Sequence, residues 1–157
     1  MGARSGLALK SVQWFVRGIQ FLCAAVVLGI FSYFLATLHN HDLPIATWIR
    51  AVEGISGAAV VYTLFGLLLL CFLAGFAITA FIAIILDIAF VGAFIYVAWA
   101  NRGGASSCNG FVYTPFGDGD AGRDGVIQGS DGFTALPSLR TACKLQTASM
   151  AVSIIAM

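Results

Sequence analysis

Charged side chains are scarce in this chain: Lys and Arg number 8 and Asp and Glu 7, together 10% of 157 residues, for a net charge of +1. So slight a positive balance gives no electrostatic footprint for nucleic acid. The basic residues of the amino-terminal stretch, Arg4, Lys10 and Arg17, are too scattered for a phosphate-binding surface. Catalytic signatures are missing as well: there is no G-x-S-x-G, no H-E-x-x-H and no phosphate-cradling glycine loop. The four cysteines form no C-x-x-C, which excludes a thioredoxin-like redox motif and a zinc knuckle. His39 and His41 have only Asp42 beside them, too few ligands for a metal site. Asn40, Asn101 and Asn109 lack the residues that make a glycosylation sequon. Neither an enzyme nor a cofactor nor a bound metal is implied.

What the chain has is apolar sequence. Hydrophobic residues make up 60% of it, against roughly 45–50% in soluble domains, and a core of this size cannot hide them all from water. Lipid is therefore the solvent for much of the surface, and the fold expected is an all-α integral membrane protein, a four-helix transmembrane bundle. A span takes about 20 helical residues. The first is residues 14–38, too long for a secretory signal and without an A-x-A-like cleavage site in "FLATLHN". The apolar run from Ile55 to Trp99 is about twice one span, so it folds back near Ala74-Gly75, giving spans at 55–73 and 76–99. A fourth apolar stretch, residues 143–157, reaches only about 20 Å past Lys144 and reads as a helix cut short, or else as a half-inserted tail. Basic residues favour the amino-terminal side of the first span, with only Arg50 in the loop that follows. By the positive-inside tendency the amino terminus is cytoplasmic and the loop 101–142 is outside.

Within "HDLPIATWIRAVEGIS", Asp42 is positioned to cap a short interfacial helix, with Ile45, Trp48, Ile49, Val52 and Ile55 on one face. The loop 101–142 is Gly- and Asp-rich and reads as solvated and flexible. Tested as a calcium loop it fails, because Asp118 and Asp120 fit but Gly122, Arg123 and Gly129 occupy positions that need other residues. Cys23 and Cys71 lie within spans as small apolar side chains, Cys71 also being close enough to a membrane face for acylation. Cys108 and Cys143 bracket the outer loop in an oxidising compartment, and a disulfide between them is expected. Small residues recur at four-residue spacing in Ala25/Gly29, Ser32/Ala36 and Ala89/Ala93, which suits close helix packing within one chain or between copies.

One acid interrupts the third span. Asp87 is about 11 residues from either end of "AFIAIILDIAFVGAF" and its flanks, near the midplane, where a carboxylate must be paired or neutral. Arg17 is the nearest cation, but counting from the span boundaries leaves an axial gap of roughly 10 Å. The expected partners are therefore the hydroxyls of Thr63 and Ser153, with Asp87 a protonated hydrogen-bond donor between helices. Proton or ion handling through Asp87 is the rival reading.

Several stretches together resemble the fungal MARVEL-domain family of four-span membrane proteins: Arg17-x-x-Gln20-Phe21 followed by "VVLGIFSYFLA", Asp87 followed by "IAFVGAFIYVAWA", then "RGGASSCNG" and "ACKLQTASMAVSIIA". The resemblance covers essentially the whole chain as one domain, 1–157. It implies a non-enzymatic protein with cytoplasmic termini at the plasma membrane or in vesicle membranes. Such a protein organises microdomains, apposition or trafficking, with lipids, copies of itself or other membrane proteins as partners. By position it draws attention to Arg17, Gln20, Asp87, Cys108 and Cys143.

Overall fold

A computed structural model describes residues 2–72, 77–122 and 137–157, with side chains described over 10–68, 78, 81–122 and 137–157. The turn expected at Ala74-Gly75, the side chain of Cys71, and Arg123 and Gly129 lie outside those residues. The described chain is mostly helical: α1 (Gly2–Asn40), α2 (Thr47–Phe72), α3 (Ala77–Ala100) and α4 (Leu139–Ala156). Three segments, Lys10–Asn40, Thr47–Leu68 and Phe81–Ala100, are long and apolar enough to cross a membrane. Their outward faces carry Phe15, Leu22, Val61, Phe81 and Ile88, each more than half exposed. Water would not tolerate so continuous an apolar surface on a monomer, whereas hydrocarbon does. The chain is thus of the membrane-protein class. Helix α4 is not among the three segments.

The hinge between α1 and α2 differs from expectation. Asp42 does not start a helix; it ends one. Its φ is +51°, Leu43 N–H donates to Leu38 C=O at 3.0 Å and Asp42 N–H to His39 C=O at 3.3 Å. That pair of bonds is the Schellman closure of a helix C-terminus, in which a residue in the left-handed region turns the chain and an apolar contact seals it, here by Leu43 packing against the cluster that holds Leu38. There is no separate interfacial helix, because α2 begins at Thr47 and runs unbroken through the second span. Ile49 and Val52 are fully buried with Phe31, Phe34, Leu38 and Val97, with Trp48 packed against the edge. Phe31 meets Phe34 and Trp48 edge-on, at 5.5 Å and 6.1 Å between centroids, a geometry suited to the ring quadrupole.

The loop 101–142 is not uniformly irregular, nor is the fold purely helical. Over its described part it holds a 3-10 turn (Arg102–Ala105) and a hairpin of β1 (Phe111–Thr114) and β2 (Gly117–Asp120), antiparallel with Val112 opposite Gly119. Asp118 and Asp120, considered above as calcium ligands, are β2 residues. The hairpin crosses one end of the helices, its turn residue Phe116 packing edge-on against Phe34 at 5.4 Å. Helix α4 starts four residues earlier than the apolar pattern implies, since Ser138 caps it by accepting from Thr141 N–H at 3.3 Å. Where the 3-10 turn rests on α4, a Cβ on Gly104 would lie 2.5 Å from Thr147 N and 2.7 Å from Gln146 C. Only glycine permits that approach, and Thr147 Oγ1 closes it by donating to Gly104 C=O.

Cys108 and Cys143 form a disulfide, with Cα atoms 5.8 Å apart. Cys143 is fully buried and shares a small cluster with Val112, Ala121 and Leu139, so the bridge fastens the hairpin to the first turns of α4. Cys23 is a buried free cysteine, in keeping with its reading as a small apolar side chain.

Candidate functional site

Arg17 and Asp87 meet directly. Arg17 Nη1 donates to Asp87 Oδ1 and Nη2 to Oδ2, both at 2.7 Å. This is the planar two-on-two geometry of a charge-assisted guanidinium–carboxylate pair, and it replaces the expected neutral acid bonded to hydroxyls. The reason lies in helix register. Ala24 of α1 and Phe94 of α3 belong to one buried cluster, and Arg17 and Asp87 each lie seven residues before those two positions. Seven residues is close to two helical turns, so both charges fall at one level and on the faces that converge. Counting from apolar boundaries misplaced Arg17 because α1 extends well beyond the apolar run, back to Gly2.

Tyr62 of α2 completes the site, and no feature of the sequence singled it out. Its hydroxyl accepts from Arg17 Nη2 at 3.3 Å and is 3.0 Å from Asp87 Oδ1 and 3.2 Å from Ala83 C=O. Its ring stacks on Phe90 at 4.8 Å, and Arg17 Cζ lies 5.1 Å from its centroid. Tyr62 is one turn beyond Ala59, which belongs to the same cluster as Ala24 and Phe94. That i, i+3 relation, combined with register, is the signal that would have found it. Gln20 sits one turn along α1 and accepts from Arg17 Nη1 at 3.5 Å. Arg17 is only 7% exposed, while the Asp87 side chain is 40% uncovered by protein.

Thr63 and Ser153 are buried but serve their own helices. Thr63 Oγ1 donates to Ala59 C=O at 2.8 Å and Ser153 Oγ to Ser149 C=O at 2.7 Å, the local back-bonding such hydroxyls favour in helices. Thr63 does line a cavity of about 20 Å³ beside the ion pair. The pair has an architectural consequence too. Helix α4 packs between α1 and α3, whereas among the described residues α1 and α3 make no close backbone approach of their own. At the Arg17 end, Arg17–Asp87 is what joins them.

A second acid was passed over in the sequence. Glu53, six residues into α2, accepts from Ser32 Oγ at 2.9 Å through Oε1, while its Oε2 is buried without a partner among the described residues. Ser32 therefore works as a polar link between α1 and α2 rather than as a bare packing ridge. Of the other small-residue positions, Gly29, Ala36 and Ala89 are exposed and Ala25 and Ala93 half-buried, and Gly29 has open space at its Cβ.

The arrangement defines a membrane protein with apolar helices cross-tied by an internal ion pair and capped by a disulfide-fastened hairpin. No protein-family model, curated protein or solved structure matches the chain.

Proposed function

We propose that the chain is a non-enzymatic, multi-pass membrane protein of MARVEL-like architecture that organises the membrane laterally, through packing of its apolar faces with lipids or with copies of itself. In this reading the fourth helix lies in the membrane with the other three. The amino terminus is cytoplasmic, the hairpin is outside, and the protein resides in the plasma membrane or vesicle membranes. The observation that carries it is the use made of Asp87. An intramembrane acid committed to a bidentate guanidinium on one helix and a phenol on another holds three helices in register. A proton carrier needs instead an acid that releases and regains its proton, and the ion pair opposes that.

Asp87→Asn separates this reading from the rival one, transport. Wild-type chain and Asp87→Asn are reconstituted into proteoliposomes, with proton flux followed under an imposed pH gradient and lateral clustering followed by energy transfer between labelled copies. The scaffold reading expects no flux above protein-free vesicles from either, with clustering in the wild type. A wild-type flux that Asp87→Asn abolishes while the disulfide still forms overturns it in favour of transport.

A further inference from the structure

Strand β1 alternates, but its outward side is not the polar one a hairpin in water needs. Val112 is 1% exposed and packs with Cys108, Cys143 and Ala121, while Phe111 and Tyr113, on the other face, are 63% and 62% exposed. Their rings meet edge-on at 5.4 Å and form one apolar patch. Across the hairpin Asp120 is opposite Phe111 and Asp118 opposite Tyr113, both acids exposed, and residues paired in register share a face. The outward face is thus aromatic along one strand and acidic along the other.

The depth of each strand follows from what it touches. Two spans end here, at Thr47 of α2 and Ala100 of α3, with Trp48 and Trp99 one residue inside those ends, the residue type that marks the edge of hydrocarbon. A Cβ on Gly103 would lie 3.1 Å from the Tyr113 carbonyl oxygen, so β1 rests on the turn that follows α3. Gly103 is three residues past Ala100, about 6 Å at most at the 3-10 rise, and the headgroup layer extends about 5–7 Å beyond the hydrocarbon. Tyr113 also shares a cavity wall with Trp48 and Ala100. Strand β2 stands farther out. From Ala156, which clusters with Ala24 and Phe94 inside the bundle, α4 passes the 3-10 turn at Thr147 and ends at Leu139, about 12 Å beyond Thr147. A Cβ on Gly119 of β2 would lie 3.0 Å from Leu139 Cδ1.

We infer that the hairpin is an interfacial anchor whose partner is the lipid surface: Phe111 and Tyr113 are seated in the headgroup layer, and Asp118 and Asp120 hold β2 on the water side. The patch continues a band that the spans already present to lipid, since Tyr96 and Trp99 of α3, 38% and 58% exposed, stand 6.2 Å apart at the same end. Aromatic rings suit this layer, where one side is apolar and the other wet. Through the Cys108–Cys143 bridge the anchor also sets the height of the first turns of α4. The inference rests on the membrane placement of α2 and α3 and leaves open whether the protein organises its surroundings.

Fluorine relaxation of the full chain in phosphatidylcholine vesicles tests it. One trifluoromethylphenylalanine replaces Phe111 in one preparation and Asp118 in another, and two paramagnetic agents are compared: a phosphatidylcholine carrying a nitroxide high on its acyl chain, and a soluble gadolinium chelate. Such relaxation falls with the sixth power of distance. For strands about 4.8 Å apart and a nearer distance of about 15 Å, the lipid nitroxide should relax position 111 roughly fivefold more than position 118. The chelate should reverse that order. An intact Cys108–Cys143 bridge and an unchanged thermal midpoint certify the fold, and if the probe at 118 disturbs either, the same probe at Asp120 replaces it. Equal relaxation of the two positions by the lipid, or stronger relaxation of 111 by the chelate, means that the aromatic face lies in water. Protection of 111 from both agents means that protein, a second copy included, covers it. Any of these overturns the assignment. None bears on clustering or flux, so it fails independently of the function proposed above.

Discussion

Replacing Asp87 with alanine should cost the folded chain about 3 kcal/mol or more, chiefly through what it leaves behind. The substitution deletes two 2.7 Å bonds and the contact with the Tyr62 hydroxyl. Arg17, 7% exposed, then keeps only a 3.3 Å bond to Tyr62 and a 3.5 Å bond to Gln20. Stranding one member of a buried ion pair typically costs about 3–5 kcal/mol. Because the Asp87 side chain is 40% uncovered by protein, the lower end of that range is the better expectation. Removing both charges behaves differently. In Arg17→Met with Asp87→Leu, no ion is left in hydrocarbon, where each costs at least about 2.5–3.5 kcal/mol on insertion scales, and the double variant should unfold within about 1 kcal/mol of wild type. Arg17→Met, Asp87→Leu and the double variant form a cycle with a coupling energy of about 2 kcal/mol or more, measured by unfolding in SDS–bicelle mixtures. If Asp87→Ala costs less than about 1 kcal/mol, or the double loss equals the sum of the singles, the ion pair does not hold the helices and the register argument fails.

Gly104→Ala should destabilise the hairpin end by about 1–3 kcal/mol, because its Cβ would meet backbone atoms of Gln146 and Thr147. Gly57→Ala, which meets only Leu28 Cδ1 at 3.8 Å, is the control and should be neutral or stabilising by up to about 1 kcal/mol. Thermal unfolding of both in nanodiscs decides it, and equal behaviour counts against the close approach. Cys143→Ser opens a bridge with a sequence separation of 35, for which chain entropy gives a loss of about 3.8 kcal/mol; proteolysis of the hairpin should accelerate, and an unchanged cleavage rate would show that the apolar cluster suffices. Tyr62→Phe keeps the stack on Phe90 but loses the hydroxyl, so unfolding in bicelles should report a loss of about 1 kcal/mol, and none if Arg17 and Asp87 need no third partner. Glu53→Gln keeps the bond from Ser32 while removing a charge, and its thermal midpoint in nanodiscs should equal or exceed the wild-type value; a clear drop would mean that the unpaired Oε2 has a use of its own.

Much of the helical layout was readable because hydrocarbon imposes it: stretches such as 26–33 and 82–86 have no other stable disposition in lipid than helix. The pairing of Cys108 with Cys143 was readable from their positions on either side of the polar loop. The hinge was misread because Asp42 suits a helix start and a left-handed helix stop equally well, and what decides it, Leu43 against the cluster that holds Leu38, is packing. The hairpin was hidden in a composition that favours turns, where neither "FVYT" nor "GDGD" is long enough to announce a strand.

The sequence by itself determined that helices form, that an acid lies deep in one of them and that two cysteines flank the polar loop, since these depend on composition and local spacing alone. Only the tertiary structure decided what the acid bonds to. The choice between Arg17 and the hydroxyls of Thr63 and Ser153 depends on the register of α1 against α3, and that is set by the packing of Ala24, Ala59 and Phe94. A slip of one residue turns a helix by about 100°, enough to bring a guanidinium to the carboxylate or take it away.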